Sequence, residues 1–206
     1  MDITLTDYDL QKRDIFLYNE INESSAQDII KQCTEIITSD NNIIKSHINA
    51  IKQFYPNIDE NILNNKNNIP EVNIYLNSPG GIIYQGLAIY DMFKKLNEHA
   101  KTNIITSGTC MSMSVIILLA LPYEQRICTK NTTFLIHQAS GWSLGKVADM
   151  EDYTKECKRQ NDLLFNIMIE NTAITKEQLE NIYNKKQDWF FTAEEALKLK
   201  LISKII

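Results

Sequence analysis

Between Val72 and His137 short apolar runs alternate with turns and helical stretches. Val72–Leu76 reads as a strand, Ser78-Pro79-Gly80-Gly81 as a tight turn and Ile83–Leu96 as an amphipathic helix. Asn103–Thr106 is the next strand, Met111–Leu121 an apolar helix, and Ile127–Cys128 and Thr133–His137 are further short strands. Strands joined through helices cannot pair as hairpins, so the pattern predicts an α/β fold with a largely parallel sheet of βαβ units.

The flanks extend this pattern. Ile15–Tyr18 is a short apolar strand, followed by a helix that ends near Thr38, with capping-box spacing at Ser24 and Gln27. Residues 39–70 are rich in Asn, Ile and Lys, with helical periodicity over Ile43–Phe54 and a loop-like Asn64–Asn68. They read as an inserted or appended helical element. A long helix from Lys146 to about Asn171 carries an apolar stripe through Val147, Met150, Tyr153, Cys157, Leu163, Leu164, Ile167 and Met168. Two capped helices close the chain, at Thr175 with Gln178 and at Thr192 with Glu195. The 206 residues suit a single domain over 1–206 with an insertion at about 39–70.

Composition excludes some function classes. A net charge of -5 argues against a nucleic-acid partner, which selects for a basic patch. Cys33, Cys110, Cys128 and Cys157 show no metal-ligand spacing, and His47, His99 and His137 are scattered, so no metal site is expected. The cysteines read as reduced, mostly buried thiols, and His47 and His99 as surface residues. The acidic start (Asp2, Asp7, Asp9) is not a signal peptide, and Val115–Leu121 falls far short of the ~20 residues of a membrane span. A cytoplasmic location with no membrane contact is expected.

All six glycines lie between Gly80 and Gly145, so any unusual backbone geometry is expected there; Gly86 reads as an ordinary turn. Within that stretch, Thr106-Ser107-Gly108-Thr109-Cys110-Met111-Ser112-Met113-Ser114 is a strand-to-helix junction. Such a junction can present a serine beside free backbone N–H groups. It lacks the GxSxG pattern, and spacing does not choose among Ser107, Ser112 and Ser114. His137 ends an apolar strand, where sites in α/β folds gather. Asp149, Asp152, Asp162 and Asp188 are candidates to orient it; Asp188 precedes Trp189-Phe190-Phe191, whose walls are expected to bury it.

Four segments together resemble the ClpP family, the proteolytic subunit of the Clp protease. They are Asn73–Gly81 with Gly86–Asp91, Gly108–Ser114, Phe134–Gln138, and Asp188–Ala196 followed by Leu201-Ile202. The resemblance covers residues 72–206 well and about 13–38 weakly. It implies a ClpP/crotonase-like spiral of βαβ units with a protruding handle of strand plus long helix. It picks out Ser112 as nucleophile, His137 as base and Asp188 as the group that orients His137. Gly81, with Gly80 as its near alternative, and Met113 would supply oxyanion N–H groups. Gln138, Ala139, Ser140, Gly141, Trp142 and Ser143 would bind substrate along the handle strand.

The resemblance implies a serine endopeptidase acting on unfolded polypeptides inside a homo-oligomer, a heptameric ring or double ring. It needs no cofactor of its own, and ATP would enter only through an AAA+ unfoldase such as ClpX, ClpA or ClpC. The chain departs from the family where Ala139 replaces a Pro, Trp142 a Gly, and Lys186-Gln187 an Asp-Arg pair. Competing readings are an ATPase-independent ClpP-like protease, as in phage capsid maturation, and a signal-peptide peptidase relative. A crotonase-fold acyl-CoA enzyme and a non-catalytic ring subunit are the others.

Overall fold

The computed structural model describes residues 8, 13–59, 68–140 and 144–206. The strands are β1 (Asp14–Leu17), β2 (Val72–Ser78), β3 (Thr102–Met111), β4 (Arg126–Cys128), β5 (Thr133–Ile136), β6 (Trp189–Phe191) and β7 (Lys204–Ile205). The helices are α1 (Glu23–Lys52), α2 (Ile83–His99), α3 (Met113–Leu118), α4 (Val147–Asn171), α5 (Lys176–Lys185) and α6 (Ala193–Lys198).

The sheet runs β1-β2-β3-β4-β7 with every neighbouring pair parallel, as the alternation of strands and helices requires. Strand β3 is ten residues long because it serves two partners. Its first half pairs with β4 through Ile104–Thr106, and its last three residues pair with β5 through Thr109–Met111. The change of partner coincides with a bulge, where Leu76 opposes Thr106 but Ser78 opposes Cys110. Gly108 takes φ +67 there, and a Cβ on it would meet the Asn77 side chain at 2.9 Å. Asn77 Oδ1 fills the gap by accepting from Thr109 N (3.1 Å) and Thr109 Oγ1 (3.0 Å). A bulge of this kind bends a strand and re-aims its end. Here it carries the end of β3 over to β5, which pairs on its far side with antiparallel β6.

Several boundaries differ from the sequence reading. Met111 still belongs to β3, and the expected Met111–Leu121 helix is only Met113–Leu118. Asn22, not Ser24, caps α1, with Ser25 closing the box. Gly86 is not a turn but lies buried inside α2, where a Cβ would sit 2.2 Å from Met113 Cγ.

The largest difference is α1, which does not stop at Thr38 but continues to Lys52. The first part of the supposed insertion is therefore a direct extension of the helix. Its buried positions, Ala26, Ile29, Cys33, Ile36, Asp40, Ile44 and Ile48, follow helical spacing throughout, with a carboxylate in mid-stripe. Asp40 accepts from Arg13 Nη1 at 2.7 Å and lies 2.9 Å from His99 Nε2. Arg13 also donates to the carbonyls of Pro70 (2.6 Å) and Glu71 (3.3 Å), so β1, α1, α2 and the approach to β2 are tied together. His99 is thus part of a buried polar network rather than a surface residue, and His47 is half-buried. Both C-terminal capping boxes form as expected, at Thr175 with Gln178 and at Thr192 with Glu195.

Helix α4 divides in two. From Gln160 onward it contributes buried residues, including Asn161, Ile167 and Met168. Residues 144–155 are all exposed, the first half of the predicted stripe, Val147, Met150 and Tyr153, among them. The described residues on either side of 141–143 are not strand, so the strand half of the expected handle is not formed at 138–140 or 144–146. No described helix is long and apolar enough to cross a membrane.

Candidate active site

The carboxyl ends of β2, β3 and β5 converge on one rim of the sheet, where ligand sites in parallel sheets form. A cavity there is lined by Gly81, Ser112, His137, Ala139 and Ser140 on one side. Ile83, Met113, Ile116, Ile136, Leu164, Phe165 and Met168 form its apolar remainder, and Asn161 also lines it.

Ser112 stands in the turn from β3 to α3 with φ 55 and ψ -123, a backbone that only a few non-glycine residues adopt. Such a residue stores about 1–3 kcal/mol of strain, which its surroundings must hold. Met111 is paired with Leu135, and Ser112 N donates to Leu135 O at 2.8 Å, so β5 pins the turn from one side. Gly80 abuts it from the other. With φ +96, a Cβ on Gly80 would lie 2.6 Å from both Met111 O and Ser112 Cβ.

The backbone separates the three serines that spacing could not. Ser107 lies within β3, and Ser114 is buried with its hydroxyl donating to Ser78 O (2.9 Å) and Met111 O (2.7 Å). Ser112 alone of the three lines the cavity. Of the backbone donors nearby, Gly80 N already donates to Ser78 Oγ at 3.2 Å. No described acceptor takes the N–H of Gly81 or of Met113, the first residue of α3.

His137 follows β5 and is half-buried. Its Nδ1 is 2.6 Å from Gln138 O. A carbonyl only accepts, so Nδ1 carries the proton and faces its own strand's continuation. Asp188 is exposed and makes no hydrogen bond to a described residue, which corrects the expectation that the aromatic run buries it. The aromatics turn inward elsewhere: Phe191 stacks on Phe134 at 5.4 Å, and Phe190 is exposed. The ladder still relates the two residues. In antiparallel β5 and β6, Phe134 opposes Phe191 and Ile136 opposes Trp189; His137 and Asp188 are the residues next beyond that last pair. Asp149, Asp152 and Asp162 sit on α4 and are exposed.

Gln138, Ala139 and Ser140 leave β5 along the cavity, and Ala139 N donates to Asn161 Oδ1 at 3.0 Å. Gly141, Trp142 and Ser143 lie outside the described residues. The thiols are not part of the site. Burial pushes Cys33 and Cys110 up to about 12 and Cys128 up to about 11, which keeps them protonated at neutral pH. Among the described residues no cluster of His, Cys, Asp and Glu could hold a metal ion.

A family model described as Clp protease matches residues 59–206. The chain belongs to the Clp protease family. That makes it a serine-type peptidase, and relatives agree. An ATP-dependent Clp protease proteolytic subunit 3 from Rhizobium etli is 31% identical over 95% of this chain and 84% of its own length. The ATP-dependent Clp protease proteolytic subunit of Deinococcus radiodurans is 34% identical over 70% of this chain and 69% of its own. A solved ClpP1 point mutant from Listeria monocytogenes superposes with a TM-score of 0.72 over 98% of this chain and 96% of that one, at 24% identity. At that identity the superposition speaks for the fold alone, a Clp-type α/β architecture.

Proposed function

We propose that this Clp-family peptidase hydrolyses peptide bonds of unfolded polypeptides by acyl transfer to Ser112. His137 Nε2 takes the Ser112 hydroxyl proton as Oγ attacks the scissile carbonyl, and returns it to the leaving amine. Water then attacks the acyl-enzyme by the same route. Asp188 orients His137 and stabilises the imidazolium. The N–H groups of Gly81 and Met113 bind the oxyanion; Gly81 is preferred to Gly80, whose N–H is already engaged. The route calls on no metal or cofactor.

The observation that carries this reading is the shared rim. The strained Ser112 follows β3, His137 follows β5, and Asp188 immediately precedes β6, the strand paired with β5. In the state described, Nδ1 rests on Gln138 O, so the working arrangement requires this contact to give way to one with Asp188. The apolar part of the cavity suits an apolar substrate side chain, and the backbone of 138–143 would bind an extended substrate strand. The exposed apolar residues of α4 fit assembly with further copies into a ring or double ring in the cytoplasm. An AAA+ unfoldase would be the partner that delivers substrate.

A fluorophosphonate probe tests the nucleophile. The native protein should be labelled on Ser112, and Ser112→Ala should lose labelling altogether. Label retained by the alanine variant would place the nucleophile elsewhere.

A further inference from the structure

One peptide group holds two contacts at the site. Gln138 O takes the His137 Nδ1 contact at 2.6 Å, and Ala139 N donates to Asn161 Oδ1 at 3.0 Å. These belong to the same trans peptide, whose C=O and N–H point to opposite sides. Its orientation is therefore fixed from both ends, by His137 on one side and by α4 on the other.

Asn161 is well suited to hold it. The residue is buried at 4% exposure on the face of α4 that lines the cavity. Its Nδ2 donates to Cys157 O at 2.9 Å, one turn back, which leaves Oδ1 aimed at Ala139. The amide cannot be reversed without setting a donor against an N–H and an acceptor against a carbonyl.

We infer that Asn161 is a positioning residue for His137, acting through the Gln138–Ala139 peptide. By holding Ala139 N–H it keeps Gln138 C=O turned toward His137 Nδ1, where this neutral acceptor competes with Asp188 for the same proton. Rotation of the peptide would withdraw the carbonyl and free Nδ1 for the carboxylate, and it requires the Asn161 contact to break. Asn161 thus sets the fraction of molecules in which His137 engages Asp188. The device depends on an N–H at position 139, which a proline would lack. This inference rests on the proposed Ser112–His137–Asp188 chemistry.

Two variants of the full chain remove the contact from opposite ends, Asn161→Leu the acceptor and Ala139→Pro the donor. Each should raise the maximal rate of fluorophosphonate labelling roughly 2- to 10-fold, the range set by one ordinary hydrogen bond. In both variants the gain should appear in the maximal rate, which reports the fraction of molecules with His137 free for Asp188, whereas a change in the cavity wall alone would move only the half-saturating probe concentration. Because both variants break the same bond, the double variant should gain no more than either single one. A maximal rate that is unchanged or lower in both folded variants, or gains that add independently, would overturn the inference. Labelling that is absent throughout, or that survives Ser112→Ala, would instead strike the nucleophile reading beneath it.

Discussion

Ser112 is held in its strained turn by two neighbours of different kinds: a hydrogen bond from its own N–H to Leu135 O and a glycine with no Cβ to intrude. Gly80 combines φ +96 with contacts to Met111 O and Ser112 Cβ that no side chain could share. Gly80→Ala should therefore slow fluorophosphonate labelling of Ser112 at least about tenfold, as about 1–3 kcal/mol of added strain is relieved by shifting the turn. A native labelling rate in that variant would mean that the loop yields elsewhere and does not support the serine. Of the serines, histidines and carboxylates open to a reading from spacing, family motifs picked out Ser112, His137 and Asp188. The strained turn was not legible because Leu135 of another strand holds it, and the engaged N–H of Gly80 and the resting contact of His137, though local, depend on backbone angles and a rotamer that residue types alone do not specify. Asn161 gave no signal either, since a single asparagine on a helix has no spacing to distinguish it.

Among the elements, α1 shows how a polar residue can misplace a boundary. Ser39-Asp40-Asn41-Asn42 are poor helix formers, and a carboxylate at a core-facing position looks like an end. Arg13 and His99, 27 residues before and 59 after Asp40, supply the partners that allow the helix to continue. Removing Asp40 would leave the Arg13 guanidinium buried at 5% side-chain exposure without its countercharge. Asp40→Ala should thus cost about 3–5 kcal/mol in chemical denaturation. A loss below about 1 kcal/mol would show that water replaces the carboxylate and that the network contributes little. The strands β2 and β3 were easier to read, since alternating burial along Val72–Ser78 follows directly from apolar residues at every second position.

At the scale of the whole molecule, the exposed first half of α4 is the conspicuous surface. Leu144 and Val147 are 77% and 73% exposed, and Met150 and Tyr153 follow at 40% and 38%. Apolar side chains gathered on one protruding helix end are costly in water, and a second copy is the cover that the proposed assembly supplies. The native chain should run as a large oligomer in light scattering, and Val147→Asp with Met150→Asp should reduce its size. A native monomer at micromolar concentration would remove the chamber from the proposed function while leaving the chemistry at Ser112 to stand on its own test.

The alternation of strands and helices and the parallel sheet followed from the chain alone, because apolar periodicity is a local property, and the three residues of the proposed triad were picked out by motifs that resemble a family. What only the tertiary structure decided are the relations between distant segments. These are the split of β3 between β4 and β5, the burial of Asp40 among its partners, and the exposure of Asp188. To these belongs the single peptide shared by His137 and Asn161. Each depends on how segments far apart in the chain come together in folding, and no pattern of residue types along one segment encodes which partners another segment will bring to it.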